Sequence, residues 1–223
     1  MITYDYVENN FTYIELFRMS FHHVPSFGCK GSREKNKMRP NLYLIITNIS
    51  KSNNIKSLLL AAYAYGTTTV FVVGQPKFNI DVINYVNPNL SLKPRTDLPK
   101  QLLSPMKRGE FQVRRFNSLE ECVVHIREIG GKENANRSRG VQILGVEIVE
   151  GAQDIDSEPF DVDKDTAIMM GNEGSGMNRK QMKICDGFLR ISQYGGGTAS
   201  LNVNVAANIV MHRFNIWARL NES

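Results

Sequence analysis

The stretch 42-LYLIITNISKSNNIKSLLLAAYAYGTTTVFVVG-74 decides the fold class. It begins and ends with short continuous apolar runs at 42–47 and 69–74, which are typical of strands buried on both faces of a sheet. The segment between them, 52–66, predicts a helix that ends at Gly66. A strand, a helix and another strand joined by short connections form a βαβ unit. The sequence therefore predicts an α/β fold with a mostly parallel sheet and helices on both faces.

Strand and helix patterns continue to alternate along the rest of the chain. Loops and short helical turns are expected over 75–110, a polar loop at 130–140 and an acidic loop from about 150 to 165. The predicted strands are 111–116, 141–149, 166–170 and 187–192, and the predicted helices are 117–130, 177–185 and 200–219. The expected caps are Ser52, Asn53 or Asn54 for the first helix, Asn117 or Ser118 for the helix at 117–130, and Ser200 for the last helix.

The composition suits one α/β domain with an extension. The chain has 223 residues, of which 42% are apolar, and a formal net charge of +5. We expect a basic N-terminal extension or linker at 1–40 and one domain at 41–223, because 26–41 has charge and turn formers but no periodicity. The clustered cations are Lys30, Arg33, Lys35, Lys37 and Arg39, followed by Lys107, Arg108, Arg114 and Arg115. These charges are either solvated loop residues or a contact surface for nucleic acid.

The sequence indicates neither a membrane protein nor a secreted protein. No run of about 18 apolar residues is present, so no segment is expected to span a membrane. The first residues lack the basic and apolar regions of a secretory signal. Cys29, Cys122 and Cys185 are isolated, which predicts reduced thiols, no disulfide framework and no zinc site. We therefore expect an intracellular, cytoplasmic protein, and a nuclear or organellar location stays open.

A glycine-rich turn follows the predicted strand at 166–170. The segment 171-GNEGSGM-177 can offer backbone N–H groups to a ligand, but its glycine spacing matches neither a dinucleotide fingerprint nor a P-loop. Glu173 is expected at the carboxyl edge of the sheet, where the ligands of open α/β sheets bind. The alternative is a purely structural turn in which Glu173 caps the helix that follows.

The stretch 191-ISQYGGGTASLNVNVAANIVMH-212 combines a bare backbone with amide side chains. Its consecutive glycines at 195–197 permit positive φ and close approach of the chain. The helix after them is apolar on most faces, so its amides, Asn202, Asn204 and Asn208, are expected to be buried and to need hydrogen-bond partners. A ligand, another loop or a second subunit can supply these partners.

Three segments together resemble a known family. The segments at 48–66 (NISKSNNIKSLLLAAYAYG), 168–177 (IMMGNEGSGM) and 191–206 (ISQYGGGTASLNVNVA) are similar to motifs 1, 2 and 3 of the SpoU-type RNA methyltransferases of the SPOUT superfamily. The resemblance covers about residues 41–218, and Ser192 stands where the family usually has proline. Motifs 2 and 3 are the specific part, because GNEG-x-G followed by SLN-V-x-VA is hard to meet by chance.

The resemblance implies a reaction, a fold and partners. The family transfers a methyl group from S-adenosylmethionine, which becomes S-adenosylhomocysteine, to a ribose 2′-hydroxyl of tRNA or rRNA. Its parallel α/β fold has a C-terminal deep trefoil knot, and it works as a homodimer with the C-terminal helix in the interface. No metal is expected, because the sulfonium is already a good leaving group. By position, the implied cofactor-binding residues are Gly171, Asn172, Gly174, Ile191, Gly196, Ser200, Leu201 and Asn202, and those implied at the reacting ribose are Asn54, Glu173, Ser200 and Asn202.

Motif 1 departs from the family's pattern N-x-G-x-x-x-R. Asn54 matches, but Lys56 stands at the glycine position and Leu60 at the arginine position, and the family assigns that arginine to activating the 2′-hydroxyl. Three interpretations follow. Lys56, four residues from Leu60 on one helical face, supplies the charge at the catalytic site. Alternatively Lys51, Arg39 or a cation of the second subunit supplies it. Otherwise the protein binds cofactor or RNA without transferring methyl and acts as a scaffold or partner subunit.

Overall fold

The short apolar runs become the buried strands of a single sheet. The computed structural model describes residues 39–80, 96–132, 139–195 and 200–222. The predicted βαβ unit is confirmed as a strand at Leu42–Thr47, a helix at Ser52–Ala64 and a strand at Thr69–Val73. All six residues of the first strand are buried, as expected for a strand that is covered on both faces.

The sheet has seven strands, and every described pairing between them is parallel. The strands are β1 Leu42–Thr47, β2 Thr69–Val73, β3 Gln112–Phe116, β4 Val141–Val146, β5 Gln153–Asp154, β6 Asp165–Met170 and β7 Gly187–Arg190. Their order across the sheet is β3-β2-β1-β6-β4-β7-β5. Because the strands all run the same way, the loops that follow them gather at one edge of the sheet.

Helices cover both faces of this sheet, as predicted. The helices are α1 Ser52–Ala64, α2 Lys100–Lys107, α3 Leu119–Lys132, α4 Arg179–Ile184 and α5 Val203–Leu220. The strand period of two divides β1 between two cores: Leu44 packs with α1, α2 and α5, and Ile45 packs with α3 and α4. α5 contributes the largest helical share of the first core, including Phe214 and Trp217.

Two predictions about the elements need correction. The segment expected to be an acidic loop contains the two-residue strand β5 and a short 3₁₀ helix at Ile155–Ser157. The segment at 75–110 contains α2, an eight-residue helix with Pro105 inside it, where only short helical turns were expected. β5 and the 3₁₀ helix are too short to show periodicity, and the proline in α2 is normally a helix breaker.

The predicted caps of α1 are wrong. Ser52, Asn53 and Asn54 lie inside the helix, and its N-cap is Lys51, whose side chain makes no capping hydrogen bond. At the other end Gly66 has φ +76°, the left-handed conformation expected after a helix. The side chain of the N-cap residue therefore does not cap α1.

Some of the predicted features lie outside the residues that the structure describes. Residues 1–38 and Gly196 are outside the described ranges, so the basic extension and the domain boundary at residue 40 stay predictions. Within the described ranges, no helix combines the length and the apolar character needed to cross a membrane. Cys122 and Cys185 are both free, and burial raises the pKa of each thiol to about 12.

Candidate functional site

A cleft of about 360 Å³ lies at the carboxyl edge of the sheet. It is bordered by the ends of three neighbouring strands, with Val146 from β4, Met170 from β6 and Leu189 from β7. Ligands of open parallel sheets bind at this edge. The volume falls within the range of small-molecule sites, which is roughly 300–1,000 Å³.

The glycine-rich turn after β6 forms one wall of the cleft. Asn172 and Gly176 exchange two backbone hydrogen bonds of 2.9 and 3.0 Å, which close the turn. A Cβ atom at Gly171 would lie 2.8 Å from the Gly176 carbonyl carbon and 2.9 Å from the Met177 nitrogen. Glycine at position 171 is therefore required by the close approach of the two arms of the turn.

Asn172 holds the turn against the loop after β1. Its Nδ2 donates to the Asn48 carbonyl oxygen at 2.7 Å and to Ser50 Oγ at 2.8 Å. Its Oδ1 accepts from the backbone N–H of Gly174 at 2.9 Å. Asn172 and Gly174 both line the cleft, but these bonds give the Asn172 side chain a structural task within the turn.

Glu173 accepts hydrogen bonds from the start of α1. The backbone N–H groups of Ser50 and Lys51 donate at 3.0 and 3.3 Å, and Asn54 Nδ2 donates at 2.8 Å. Partial burial acts to raise the pKa of Glu173, but the hydrogen bonds from Ser50, Asn54 and Lys51 outweigh it and lower the pKa to about 2. The alternative that Glu173 caps the following helix is wrong, because Asn178 caps α4.

The amides of α5 differ from their predicted environments. Asn202, expected to be buried, is exposed and is the N-cap of α5, where Oδ1 accepts from the Asn204 N–H at 2.9 Å. Ser200, the predicted cap, precedes that position and lines the cleft. Asn208 finds its partner in its own helix, the Asn204 carbonyl oxygen at 2.7 Å. Asn204 instead donates from Nδ2 to Asn54 Oδ1 at 2.9 Å.

The structure brings most of the predicted site residues to one place. The predicted residues that line the cleft are Gly171, Asn172, Glu173, Gly174, Ile191, Ser200 and Leu201. Asn54 reaches the cleft through its bond to Glu173, whereas Asn202 and Lys56 are not among the lining residues. Which of these residues act on a ligand stays a prediction.

Glu147 is a site residue that the sequence analysis missed. It follows the last residue of β4 and lines the cleft, and its Oε2 accepts from the Met177 N–H at 2.7 Å. The signal was similar to the one for Glu173, an acid close to the carboxyl end of a buried strand. It was missed because the strand was predicted to extend to residue 149, which placed Glu147 inside it.

The residue at the family's arginine position carries no charge into the site. Leu60 is partly buried and packs against the core beneath α1. Arg39 forms an ion pair with Glu222 at 3.3 Å, after the end of α5. Lys51 is exposed, but its backbone lies against Glu173. Of the cations considered for the missing charge, Lys51 is the one that the described contacts connect to the candidate site.

Ser192, at the family's proline position, joins the motif-3 loop to β5. Its hydroxyl donates to a carboxylate oxygen of Asp154. This bond and the one from the Asp156 N–H lower the pKa of Asp154. The substitution therefore replaces a rigid residue with one that holds the loop by a hydrogen bond.

The later cation pairs are engaged in local contacts. Arg108 pairs with Glu110 at 2.6 Å, Arg114 approaches His125 at 2.8 Å, and Arg115 donates to the Phe78 carbonyl oxygen. These contacts hold the three arginines within the protein and test neither of the two alternatives, solvated loop charge or contact with nucleic acid. The cluster from Lys30 to Lys37 lies outside the described residues.

An all-parallel sheet with a ligand-sized cleft at its carboxyl edge is the arrangement in which α/β proteins place small-molecule sites. Residues 110–212 match the model of the SpoU rRNA Methylase family. The resemblance seen in motifs 2 and 3 is thereby confirmed for this part of the chain. Motif 1 lies before the matched range.

One relative is similar to part of the chain, and solved structures share its fold. The chain is 35% identical over 79 residues to a Burkholderia 23S rRNA (guanosine-2′-O-)-methyltransferase, RlmB, a match that spans 34% of this chain and 32% of that protein. The fold resembles the SpoU methyltransferase AviRb of Streptomyces viridochromogenes, solved with the cofactor AdoMet, at a TM-score of 0.59 and 20% identity, covering 82% of this chain and 59% of that one. It also resembles the A. aeolicus TrmH/SpoU tRNA modifying enzyme at a TM-score of 0.57 and 16% identity, covering 83% and 79%.

Proposed function

We propose that the protein transfers a methyl group from S-adenosylmethionine to a ribose 2′-hydroxyl of rRNA or tRNA. The observation that supports this most is the cleft, which is lined by residues of motifs 2 and 3 within the family-matched range. The names of the relatives include 2′-O-methylation of 23S rRNA and modification of tRNA, so both RNA classes are retained.

The lining of the cleft fits the charge pattern of S-adenosylmethionine. The cofactor carries a sulfonium, an ammonium and a carboxylate on an otherwise largely apolar body. Among the described lining residues, the acids are Glu147 and Glu173 and the single base is Arg190. Two carboxylates complement the two cationic groups, and a guanidinium complements the carboxylate. Backbone groups of Gly171, Ile191 and Leu201 are the proposed contacts to the adenosine.

The contribution of the chain is mainly positioning. When bound, the cofactor supplies an electrophilic methyl group on a sulfonium. Glu173, with a pKa of about 2, is a carboxylate at neutral pH and a weak base, so it orients donors and does not collect the 2′-proton. Its donors lie at the start of α1, which includes Asn54, and this arrangement holds motif 1 against motif 2.

Lys51 is the proposed replacement for the family's arginine. Its backbone N–H donates to Glu173 at 3.3 Å, and its exposed side chain begins beside the cleft-lining carboxylate. A lysine ammonium there stabilises charge on the reacting oxygen as a point charge, without the fork of a guanidinium. The interpretation that Lys56 supplies the charge is less favoured, because no described contact connects it to Glu173.

The remaining family features are part of the same proposal. We infer a C-terminal deep trefoil knot, a cytoplasmic location, and RNA contacts by the basic residues of the extension at 1–40. We also infer a homodimer through α5, which exposes the apolar side chains of Val205, Ile216 and Leu220. Exposed apolar residues that lie on one helix are common in subunit interfaces.

Calorimetric titration with S-adenosylmethionine tests the proposal. Wild-type protein is expected to bind one cofactor per chain, and Gly171→Ala is expected to bind at least about tenfold more weakly, because the new Cβ forces the two arms of the turn apart. Gly140→Ala is the matched control, since a Cβ at Gly140 meets nothing within 4 Å and φ there is not positive. Absence of wild-type binding at millimolar cofactor would overturn the proposal.

Methyl transfer is then measured with radiolabelled cofactor on rRNA and on tRNA. Digestion to nucleosides shows whether the label is on a ribose oxygen. Label on a base would overturn the 2′-O assignment. Cofactor binding without transfer to either RNA would favour the alternative of a scaffold or partner subunit.

A further inference from the structure

A chain of side-chain hydrogen bonds connects α5 to the glycine-rich turn. Asn204 Nδ2 donates to Asn54 Oδ1 at 2.9 Å, and Asn54 Nδ2 donates to Glu173 Oε1 at 2.8 Å. The bonds join residues 150 and 119 positions apart in the sequence. All three side chains are partly buried. Three elements that meet only in the folded chain therefore share one polar connection.

The direction of these hydrogen bonds is fixed at one end. An ionised carboxylate only accepts, so Asn54 must turn its NH₂ group towards Glu173. The carbonyl oxygen of Asn54 then faces α5, and the residue there must donate. Asn204 meets this requirement with its own NH₂ group. The orientation of each amide thus follows from the negative charge on Glu173.

At the Asn204 end of this chain of hydrogen bonds, one acceptor atom has no donor among the described residues. Because Asn204 donates to Asn54, its Oδ1 points away, and this atom is buried and has no hydrogen-bond partner among the described residues. A buried acceptor without a donor is unfavourable. A smaller or apolar side chain at position 204 would avoid this cost but would not donate to Asn54. The hydrogen bond to Asn54 is therefore the contact that accounts for an asparagine at position 204.

We infer that Asn204 is a positioning residue, which holds the Asn54 amide in the orientation that keeps the Glu173 carboxylate at the cleft. This inference rests on the proposed function for its importance to methyl transfer. The contact itself does not depend on that function. Asn204 lies outside the cleft lining, so it acts through Asn54 and does not touch the proposed cofactor.

The test is an NMR titration of the Glu173 carboxyl carbon, with the signal assigned by Glu173→Gln. Asn204→Asp keeps the shape of the side chain but cannot donate a hydrogen bond. The carbonyl oxygen of Asn54 would then face another acceptor oxygen at position 204. The pKa of Glu173, about 2 in the wild type, is expected to rise by about one unit or more in this variant. Asn204→Ser, which is too short to reach Asn54, is expected to give a smaller rise.

Asn215→Ser is the matched control. Asn215 also joins α5 to α1, through a 3.0 Å bond to the Tyr65 carbonyl oxygen, but at the far end of the helix. It is expected to lower the melting temperature without changing the Glu173 titration. Asn204→Ser is expected to change the Glu173 titration without lowering the melting temperature, because it removes the unpartnered oxygen along with the contact.

The kinetic readout separates positioning from packing. In the Asn204 variants kcat for methyl transfer is expected to fall by roughly tenfold, with KM for S-adenosylmethionine little changed. An unchanged Glu173 titration in Asn204→Ser would overturn the inference, because the new charge in Asn204→Asp raises the pKa of Glu173 by itself. This result is readable even if the wild type transfers no methyl group, so failure of the proposed function is distinguished from failure of the inference.

Discussion

α1 and α5 both begin near the cleft, but their starts are stabilised in different ways. α5 begins after Asn202, whose own side chain accepts from the Asn204 N–H two residues later. α1 begins after Lys51, which supplies no cap, and the N–H groups of Ser50 and Lys51 donate to Glu173, more than 120 positions away. The start of α5 is thus stabilised by its own N-cap residue, whereas the residues that lead into α1 are held by the glycine-rich turn.

This difference shows which helix is coupled to the site. A local cap stabilises its helix whatever the rest of the chain does. The hydrogen bonds of Glu173 to Ser50, Lys51 and Asn54 instead make the segment that leads into α1 and the wall of the cleft depend on each other. Changes at Glu173 are therefore expected to affect both stability and function, and changes at Asn202 mainly stability.

Glu173→Ala is expected to have the largest effect. It leaves the donors of Ser50, Lys51 and Asn54 without their acceptor, which costs roughly 1–3 kcal/mol of unfolding free energy. Methyl transfer is expected to fall roughly 10²–10³-fold, because the preorganised start of α1 is lost. Urea denaturation and initial rates measure the two effects, and wild-type values for both would contradict the coupling.

Lys51→Ala is expected to have the next largest effect. Its backbone bond to Glu173 remains, so stability should stay close to the wild type, while methyl transfer falls roughly tenfold because an ammonium near the reacting oxygen is lost. Lys56→Ala, in the first turns of α1, serves for comparison and should change the rate little. A larger loss in Lys56→Ala than in Lys51→Ala would restore the interpretation that Lys56 replaces the missing arginine.

Lowering the pH tests whether the charge on the Glu173 carboxylate stabilises the start of α1. The pKa of Glu173 in the folded protein, about 2, lies below its ordinary value of 4.5. Its ionised form therefore adds stability that is fully present above pH 4.5 and is lost as the pH falls through about 2. Unfolding of the wild type and of Glu173→Gln, compared from pH 6 to about pH 2, should converge over this range. A constant difference would show that the carboxylate charge does not stabilise the start of α1.

Sequence patterns located the cleft because its walls are local features. A buried strand followed by closely spaced glycines predicted the turn at Gly171, and an acid at the carboxyl edge predicted Glu173. Ile191 and Leu201 came from the family motif and also line the cleft. Each of these inferences used residues within one short segment, and none of them required the order of the strands in the sheet.

The contacts between segments could not be predicted in this way. Glu173 meets Ser50 because β1 lies beside β6 in the sheet, a neighbour relation between strands more than 100 residues apart. One sequence gives the strands but not their order, so the pairing of Asn54 with Asn204 was equally hidden. Glu147 was missed for a simpler reason, since the predicted end of β4 was three residues too late.

Asn202→Ala is expected to have the smallest effect and defines the other side of the comparison. Loss of the bond to the Asn204 N–H should cost about 1 kcal/mol of unfolding free energy, and Asn202→Asp should cost almost nothing, because aspartate caps equally well and its charge suits a helix start. Since Asn202 is exposed and absent from the cleft lining, S-adenosylmethionine affinity should stay close to the wild type in both variants. Calorimetric titration beside urea denaturation measures both quantities. If Asn202→Ala instead lost affinity while keeping its stability, the role implied by the family's motif 3 would outweigh the cap, and the start of α5 would be as closely coupled to the site as the start of α1.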